Sequence, residues 1–292
     1  MTAVVERFAP SPTGALHLGH ALSALLGWEA AQAAGGTFIL RMDDLDPVRC
    51  KPEFARGIED DLRWLGLSWP EPVMFQSQNA ALHHAVLDQL IAEGLVYRCY
   101  CSRAEITAAT GAVTGAPQEG AENPPAYPGT CRALGTWPID RGHTLRLDMR
   151  KAVARLGGEA AVRALSFEEI GEGPSGEHGT IFLDPEALID GVGDIVLMRK
   201  DRAVAYHLAV VIDDALQGVT HATRGQDLFS STMIHRLLQA LTGKSTPVYR
   251  HHRLVRDEAG QRLAKRSDAL ALSTLRAQGA TAEDIRRRVG LD

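Results

Sequence analysis

The hydrophobic pattern near the start of the chain alternates short apolar runs with a longer helical segment. Apolar runs at 3–5 and 37–42 are typical of buried strands. Between them, residues 21–34 are rich in Ala and Leu and end at Gly35-Gly36, a helix stop signal. Strand, helix and strand at this spacing predict a parallel crossover unit, in which ligands bind beyond the carboxyl ends of the strands.

Later segments continue the alternation of helical and extended patterns. Apolar residues at i, i+3 and i+4 predict amphipathic helices at 53–67 and 79–93. Further strands are expected at 95–102, 144–149, 181–183, 195–199 and 247–252, and further helices at 230–241, 270–278 and 282–289. This order of elements is that of an α/β protein.

The loop between the first strand and the first helix carries the clearest candidate chemistry. Residues 7–20 read Arg-Phe-Ala-Pro-Ser-Pro-Thr-Gly-Ala-Leu-His-Leu-Gly-His, and the prolines and glycine exclude a regular helix or strand in the middle. Free backbone N–H groups and the positive end of the helix dipole favour an anion at such a place, and a glycine lets a phosphate approach closely. His17 and His20 are three residues apart, so both can face one ligand from the first helical turn.

Two acidic groups have alternative interpretations. Asp43, Asp44 and Asp46 follow the second predicted strand. They indicate either a helix that begins at Asp46-Pro47 or an anion that pairs with the ammonium group of a bound amino acid. The pair Asp213-Asp214 either binds the magnesium that accompanies a nucleotide or is architectural.

Three of the four cysteines border a segment, 107–125, that contains few large apolar residues. Cys99, Cys101 and Cys131 suit a metal site in a reducing compartment better than a disulfide framework. Zinc would supply folding free energy that this segment lacks. Three thiolates leave one position of a tetrahedral zinc site open, and His143 is a chemically suitable ligand for it. The alternative to a metal site is that these cysteines are free thiols.

Composition limits the class of protein. The chain has 292 residues, of which 45% are hydrophobic and 23% charged, which is typical of a globular protein with one large domain and an insertion, or with two domains. The formal net charge of −5 argues against a protein that coats nucleic acid by bulk electrostatics, although basic groups at 250–253 and 286–288 could form a local RNA-binding face. We expect a cytoplasmic protein without membrane association, because no signal peptide or membrane-spanning apolar stretch is present.

Three segments, in their order, resemble the signatures of a known family. Residues 7–14 followed by His-Leu-Gly-His at 17–20 resemble the first signature of class I aminoacyl-tRNA synthetases, in the variant of the glutamyl group. The block 213–228 resembles the family's second substrate-binding block, and Arg-Leu-Ala-Lys-Arg at 262–266 resembles the second signature, with Lys265 at its essential position. The resemblance covers nearly the whole chain and is strongest to the short glutamyl-Q tRNA(Asp) synthetases.

The resemblance implies an α/β fold: a doubly wound, Rossmann-like parallel-sheet catalytic domain with a zinc-bearing α/β insertion, a short helical C-terminal tail and no anticodon-binding domain. The halves of the catalytic domain are expected at 1–96 and 200–266. The zinc-bearing, acceptor-stem-like insertion is expected at 97–199 and the tail at 267–292. In this family, an acidic pair at the position of Asp213-Asp214 is more often architectural.

The resemblance also assigns the site residues. Catalysis is expected from His17, His20 and Lys265, and ATP binding from His17, Gly19, His20 and Lys265. Glutamate binding is expected from Arg7, Ala9, Ser11, Asp43, Tyr206 and Arg224. The glutamyl-Q pattern favours Cys99, Cys101, Tyr127 and Cys131 as metal ligands, in preference to His143. Asp43 replaces a glutamate that holds the substrate amino group and is one methylene shorter, so we expect a longer or water-mediated contact there. Arg262 and Ala264 replace a lysine and a serine, so we expect weaker phosphate contacts from that loop.

By the same resemblance, the chain activates L-glutamate with ATP and Mg²⁺ to glutamyl adenylate and holds one structural zinc. It then transfers glutamate to the queuosine at the first anticodon position of tRNA(Asp). One alternative is a truncated glutamyl-tRNA synthetase that charges the 3′ end of a tRNA. The other is a catalytically idle regulator that binds tRNA or glutamate, although a pure binder has little need of both histidines and Lys265. We expect a monomer whose partners are L-glutamate, ATP and tRNA(Asp) bearing queuosine.

Overall fold

The computed structural model describes residues 3–110, 126–134, 142–255 and 271–291. The segment that resembles the second synthetase signature, with Arg262, Ala264 and Lys265, lies outside the described residues.

The described residues alternate between strands and helices along most of their length. The strands are β1 (Val5–Phe8), β2 (Thr37–Met42), β3 (Met74–Phe75), β4 (Val96–Cys99), β5 (Thr144–Leu147), β6 (Ser166–Glu169), β7 (Gly179–Phe182), β8 (Val196–Met198), β9 (His221–Gly225) and β10 (Val248–His252). The α-helices are α1 (Leu18–Ala33), α2 (Pro52–Trp64), α3 (Ala80–Ala92), α4 (Arg103–Thr110), α5 (Met149–Arg155), α6 (Glu159–Arg163), α7 (Tyr206–Leu216), α8 (Phe229–Thr242), α9 (Leu272–Ala277) and α10 (Ala282–Arg288). The elements predicted from the hydrophobic pattern are present, with ends shifted by a few residues.

The larger sheet is doubly wound. Its strand order is β3-β2-β1-β9-β10-β6-β7, and its neighbours are parallel except for the antiparallel pair β6–β7. Strand β1 pairs on one side with β2, which follows it in the chain, and on the other with β9 from the second half of the chain. The chain therefore winds in opposite directions from the β1/β9 boundary, which confirms the predicted fold class. In sheets of this kind, ligands bind in the crevice beyond the carboxyl ends of the strands at this boundary.

The smaller sheet is antiparallel, with the order β4-β5-β8. It lies within the insertion expected at 97–199, but so do β6 and β7, which join the larger sheet through the pairing of Tyr249 with Glu169. The pattern of one strand does not specify which sheet it joins, because each edge offers the same backbone donors and acceptors. The domain boundaries remain a prediction.

The C-terminal helices belong to the hydrophobic core of the first half of the larger sheet. Leu272 in α9 and Ile285 in α10 share one hydrophobic cluster with Leu22 of α1 and Leu62 of α2, and all four are buried. The predicted helical tail is therefore packed against the first half of the sheet. None of the helices in the described part of the chain combines the length and the apolar character needed to cross a membrane.

Candidate active site

The first signature forms the amino-terminal end of α1. His17 is the N-cap: its Nδ1 atom accepts a hydrogen bond from the Gly19 N–H at 3.1 Å, and its own N–H donates to His20 Nδ1 at 3.2 Å. This reciprocal cap explains why α1 begins at Leu18, before the Ala/Leu-rich run that predicted it. Because both Nδ1 atoms accept, each neutral ring carries its proton on Nε2. The two rings lie 3.8 Å apart between centroids, so two N–H donors gather at the positive end of a helix dipole.

The proline-containing loop is tied to the acidic loop that follows β2. The Asp43 N–H donates to the Pro10 carbonyl at 3.0 Å, and the Lys51 N–H donates to the Pro12 carbonyl at 3.0 Å. These bonds place Pro10 beside Asp43 at the carboxyl ends of β1 and β2, and Ala9 and Ser11 flank Pro10 in the same loop. The helix start considered at Asp46-Pro47 is not observed, because α2 begins at Pro52.

Asp43 belongs to a buried network of two arginines and two aspartates. Arg41, fully buried, donates from Nε to Asp43 Oδ1 at 2.7 Å and from Nη1 to Asp214 Oδ1 at 2.6 Å. Arg7 donates from Nε to the same Asp214 oxygen at 3.3 Å. The charges balance, and Asp214 is architectural in this arrangement. Although burial opposes ionisation, Arg7 and Arg41 hold the pKa of Asp214 below its ordinary value.

Asp213 is also held by the protein itself. It is fully buried and accepts hydrogen bonds from Asn79 at 2.9 Å and from the His83 ring at 2.9 Å. Both members of the acidic pair thus fasten α7 to neighbouring elements, which agrees with the architectural interpretation.

Arg224, at the end of β9, differs from the other buried arginines. It is 4% exposed, and its hydrogen-bond partners are neutral: Thr232, His235 at 3.3 Å and His251 at 3.2 Å. Among the described residues, no carboxylate lies within ion-pairing distance of its guanidinium group. A buried cation without a counter-ion is costly, so this group is suited to an anionic ligand.

Tyr206, the first residue of α7, lies beside this arginine. Its ring is 5.6 Å from that of His235, whose Nδ1 atom faces Arg224. The charges of Arg224 and Arg7 both act on the Tyr206 hydroxyl. The structure thus brings together Arg7, Tyr206 and Arg224, three of the residues expected to bind glutamate.

The ends of the segment that contains Lys265 are anchored near α1. The Leu272 N–H donates to the Leu16 carbonyl at 2.8 Å, and Ala271 forms an isolated antiparallel bridge with His17. Before the segment, Val255 is buried in the same hydrophobic cluster as Leu272. The described chain therefore resumes, after this segment, directly beside His17.

The cysteines form a second candidate site at the end of β4. The Sγ atoms of Cys99, Cys101 and Cys131 lie within 4.8 Å of one another. The Tyr127 hydroxyl is 3.3 Å from Cys99 Sγ and 3.4 Å from Cys101 Sγ, so it stands at the same point as the thiols. This compact cluster does not include His143, whose ring lies 5.6 Å from that of Tyr100. Three thiols and a phenol oxygen at these distances fit a tetrahedral metal ion such as zinc.

The comparisons with known proteins identify the family. The chain matches the family model described as "tRNA synthetases class I (E and Q), catalytic domain" over residues 3–291. The chain belongs to this family. It is therefore a class I aminoacyl-tRNA synthetase-like ligase.

Relatives within the family differ in length. The chain is 48% identical to the Glutamyl-Q tRNA(Asp) synthetase of Rhodobacter capsulatus, over 99% of this chain and 100% of that protein. It is 42% identical to the Glutamyl-Q tRNA(Asp) synthetase of Symbiobacterium thermophilum, over 96% of this chain and 83% of that protein. It is 35% identical to the Glutamate--tRNA ligase of a Synechococcus strain, of which it covers only 56%.

Solved structures in the class I synthetases share the fold. The glutamate-tRNA synthetase of Elizabethkingia anophelis superimposes with a TM-score of 0.68 at 24% identity, over 90% of this chain and 53% of that structure. The chain therefore spans about half the length of that solved relative. A methionyl-tRNA synthetase of Mycobacterium tuberculosis superimposes with a TM-score of 0.58 at 11% identity, over 98% of this chain and 64% of that structure. These likenesses support the class I synthetase fold of the chain.

Several residues that shape the site were not predicted from the sequence. They are Arg41, Glu169, Thr232, His235 and His251, all buried and polar in the structure. A charged or imidazole side chain inside a strongly apolar run is a usable signal, and Arg41 in the run 37–42 has it. Thr232 and His235 look like ordinary polar positions of an amphipathic helix, so no local pattern identifies them.

Proposed function

We propose that this ligase activates L-glutamate with ATP and transfers the glutamyl group to the queuosine of tRNA(Asp). The observation that carries the proposal is the buried guanidinium of Arg224, which has no counter-ion among the described residues and lies next to Tyr206. A dicarboxylic amino acid would neutralise it. The choice of acceptor follows the name of the full-length relative from Rhodobacter capsulatus.

The amino acid would bind across the β1/β9 boundary. Arg224 would take one carboxylate through two parallel hydrogen bonds, with Tyr206 beside it. Asp43 uses Oδ1 for Arg41, while its Oδ2 atom accepts no hydrogen bond within the described residues, so this oxygen is suited to the substrate ammonium group. Ala9 and Ser11 would line the same pocket through the loop tied to Asp43. Arg7, whose charge Asp214 balances, would offer further N–H donors at the pocket wall.

The nucleotide would bind at the amino-terminal end of α1. In the first step, an α-carboxylate oxygen of glutamate attacks the α-phosphorus of ATP, an anhydride bond forms, and pyrophosphate leaves. His17, His20 and the Gly19 N–H would stabilise the charge that develops on the phosphates, together with Lys265 from the second signature. Mg²⁺ bound to ATP would neutralise phosphate charge.

In the second step, a hydroxyl of the acceptor RNA attacks the acyl carbon of the adenylate. The ester bond forms, AMP leaves, and the hydroxyl proton is released. An anticodon loop can serve as acceptor if it enters the crevice beside the adenylate. Since ATP and tRNA are the co-substrates, we propose that the enzyme works in the cytoplasm.

The cysteine cluster would hold one structural zinc. Cys99, Cys101 and Cys131 supply thiolates, and the Tyr127 oxygen is placed for the fourth position. The bound ion would link the end of β4 to the segment that contains Tyr127 and Cys131, and so order the edge of the smaller sheet.

The test is transfer of labelled glutamate, with ATP and Mg²⁺, to three RNAs: tRNA(Asp) bearing queuosine, the same tRNA with unmodified guanosine, and tRNA(Glu). We expect label only on the first, in the anticodon loop after nuclease digestion. Label at the 3′ end of tRNA(Glu) would instead identify a short glutamyl-tRNA synthetase. No label on any RNA, together with no glutamate-dependent pyrophosphate exchange, would identify an idle binder.

A further inference from the structure

We propose that His235 and His251 are positioning residues that orient Arg224 as neutral acceptors and thereby make its site selective for a carboxylate. The inference rests on the proposed glutamate site and names the residues that set its specificity. They act through Arg224, so their effect belongs to substrate recognition and not to phosphate chemistry.

The tautomer of His251 follows from its two partners. Its Nδ1 atom faces Glu169 Oε2, and Glu169 Oε1 accepts the backbone N–H of the same histidine at 2.8 Å. A carboxylate accepts, so the Nδ1 atom of His251 carries the proton and its Nε2 atom is left as an acceptor. That acceptor meets Arg224 Nε at 3.2 Å. Glu169 thus acts indirectly on Arg224. It fixes the orientation of the His251 imidazole, which in turn accepts a hydrogen bond from the Arg224 guanidinium.

His235 repeats the arrangement on the other side of the guanidinium. Its Nδ1 atom lies 3.3 Å from Arg224 Nη1, which can only donate, so the ring proton is on Nε2. Nε2 then donates to His207 Nδ1 at 3.2 Å. Hydrogen bonds therefore run in one direction, from Arg224 to His235 to His207. Burial, reinforced by the charge of Arg224, holds the pKa of His235 well below its ordinary value, so the imidazole stays neutral.

The geometry leaves a defined set of donors for a ligand. A guanidinium has five N–H groups, and Arg224 uses one from Nε, one from Nη1 and one from Nη2, the last to Thr232. One N–H on each terminal nitrogen remains, which matches the two oxygens of one carboxylate. The Tyr249 ring covers the face of the group at 4.9 Å and limits its tilt.

Neutral acceptors are essential to this selectivity. A carboxylate at position 235 would pair with Arg224 and compete with the substrate, as Asp214 pairs with Arg7. A side chain without an acceptor would leave one N–H unpaired and let the guanidinium rotate. Histidine satisfies the hydrogen bond and leaves the positive charge for glutamate.

The test compares His235→Gln, His235→Leu and His235→Glu in glutamate-dependent pyrophosphate exchange. We expect the leucine variant to raise KM for glutamate by roughly tenfold, since a hydrogen bond to a charged group is lost. We expect the glutamate variant to raise it further. The glutamine variant, which keeps an acceptor oxygen, should stay within about threefold of the wild type. KM for ATP should be unchanged in all three variants, because the ATP site proposed at the start of α1 does not include Arg224.

Two results would overturn the inference. One is an unchanged KM for glutamate in the leucine variant. The other is an equal effect of the leucine and glutamine variants that either lowers kcat alone or raises KM for both glutamate and ATP. Such a pattern indicates a purely structural role for His235. Urea unfolding of each variant checks the fold. If His235→Leu fails to fold, His251→Leu, which also removes an acceptor from Arg224, should raise KM for glutamate by roughly tenfold and provides the second test.

Failure of the proposed function is distinguishable from failure of this inference. If the wild type shows no pyrophosphate exchange, the proposed function fails. The readout is then the increase in Tm that L-glutamate causes, compared with the increase that L-glutamine causes. The inference then requires that L-glutamate raise the Tm of the wild type and of the glutamine variant, but not that of the leucine variant. The inference would be overturned if L-glutamate raised the Tm of the wild type, the glutamine variant and the leucine variant equally, or if it raised none of them.

Discussion

His17 has a structural role as the N-cap of α1, and we propose a chemical role for the same side chain. Its Nδ1 atom accepts the Gly19 N–H and so caps the first turn of α1. Its ring, which carries its proton on Nε2, packs against that of His20. An N-cap stabilises a helix by about 1 kcal/mol. Phosphate stabilisation depends on the imidazole itself, so the two roles can be separated.

We predict that His17→Ala and His17→Asn both lower glutamate-dependent pyrophosphate exchange by roughly 100-fold. Only the alanine variant should lose stability, by about 1 kcal/mol, because asparagine is a good N-cap. Urea unfolding measures the stability, and exchange kinetics measure the activity. An asparagine variant with wild-type exchange would remove His17 from the catalytic residues.

The contact between α2 and α9 contains a buried carboxylate with a shifted pKa. Asp61 is 2% exposed, and its Oδ1 atom lies 3.3 Å from Arg276 Nη2 of α9. Burial, only partly opposed by Arg276, raises the pKa of Asp61 to about 6. The folded protein therefore binds this proton more tightly than the unfolded chain, whose aspartate has a pKa of about 3.9.

The sign of the pH dependence follows from linkage. Stability from this group is fully present below about pH 4 and is lost as the pH rises through about 6. We predict that the free energy of unfolding of the wild type falls from pH 5 to pH 8 by about 1 kcal/mol more than that of Asp61→Asn. Urea unfolding of both proteins at both pH values measures the difference. Equal pH dependence in the two proteins would contradict it.

At the smaller sheet, the candidate metal site contains residues from two separate segments. We predict that Cys99→Ser combined with Cys131→Ser abolishes zinc binding, because two of the three thiolates are lost. Elemental analysis of the purified protein measures the zinc content. A wild-type protein without zinc would refute the site.

Tyr127 and His143 can be distinguished by matched variants. Tyr127→Phe should weaken zinc binding by roughly 10–100-fold in a chelator competition, since its oxygen lies 3.3 and 3.4 Å from two thiols. His143→Ala should leave the affinity unchanged, because His143 is outside the cluster. The opposite order of effects would assign the fourth position to the histidine.

At the scale of the whole molecule, the described chain that follows the second signature is held against the first one. The Leu272 N–H donates to the Leu16 carbonyl, and α9 and α10 share a hydrophobic cluster with α1 and α2. Lys265 is followed closely by this anchor. We propose that its ammonium group stabilises the leaving pyrophosphate, as the resemblance to the second signature implies.

We predict that Lys265→Ala lowers pyrophosphate exchange by roughly 100-fold and leaves the free energy of unfolding unchanged. The variant removes one positive charge from a segment whose ends are anchored by other residues. Arg288→Ala, which also removes one positive charge, is the control and should exchange at the wild-type rate. Unchanged exchange in the lysine variant would remove Lys265 from the catalytic residues.

The sequence by itself determined most of the elements and the identity of the chemistry-bearing groups. Periodicity predicted α2, α3 and α8, because an amphipathic helix must bury one face wherever it packs. The run of residues 7–20 predicted an anion site before its geometry was known, since a loop that opens a helix leaves free N–H groups. The spacing of the cysteines likewise predicted a metal site, and the three clustered thiols support that prediction.

Only the tertiary structure decided which charges remain available. Arg7 and Arg224 look equivalent in the sequence, but Asp214 neutralises the first from 207 positions away, whereas the second meets only neutral acceptors. Nor does the local pattern of β6 and β7 show that they extend the larger sheet through β10. Local patterns report what a segment prefers. The pairing of distant side chains depends on how the sheet is wound, and this winding left Arg224 as the buried cation without a counter-ion among the described residues.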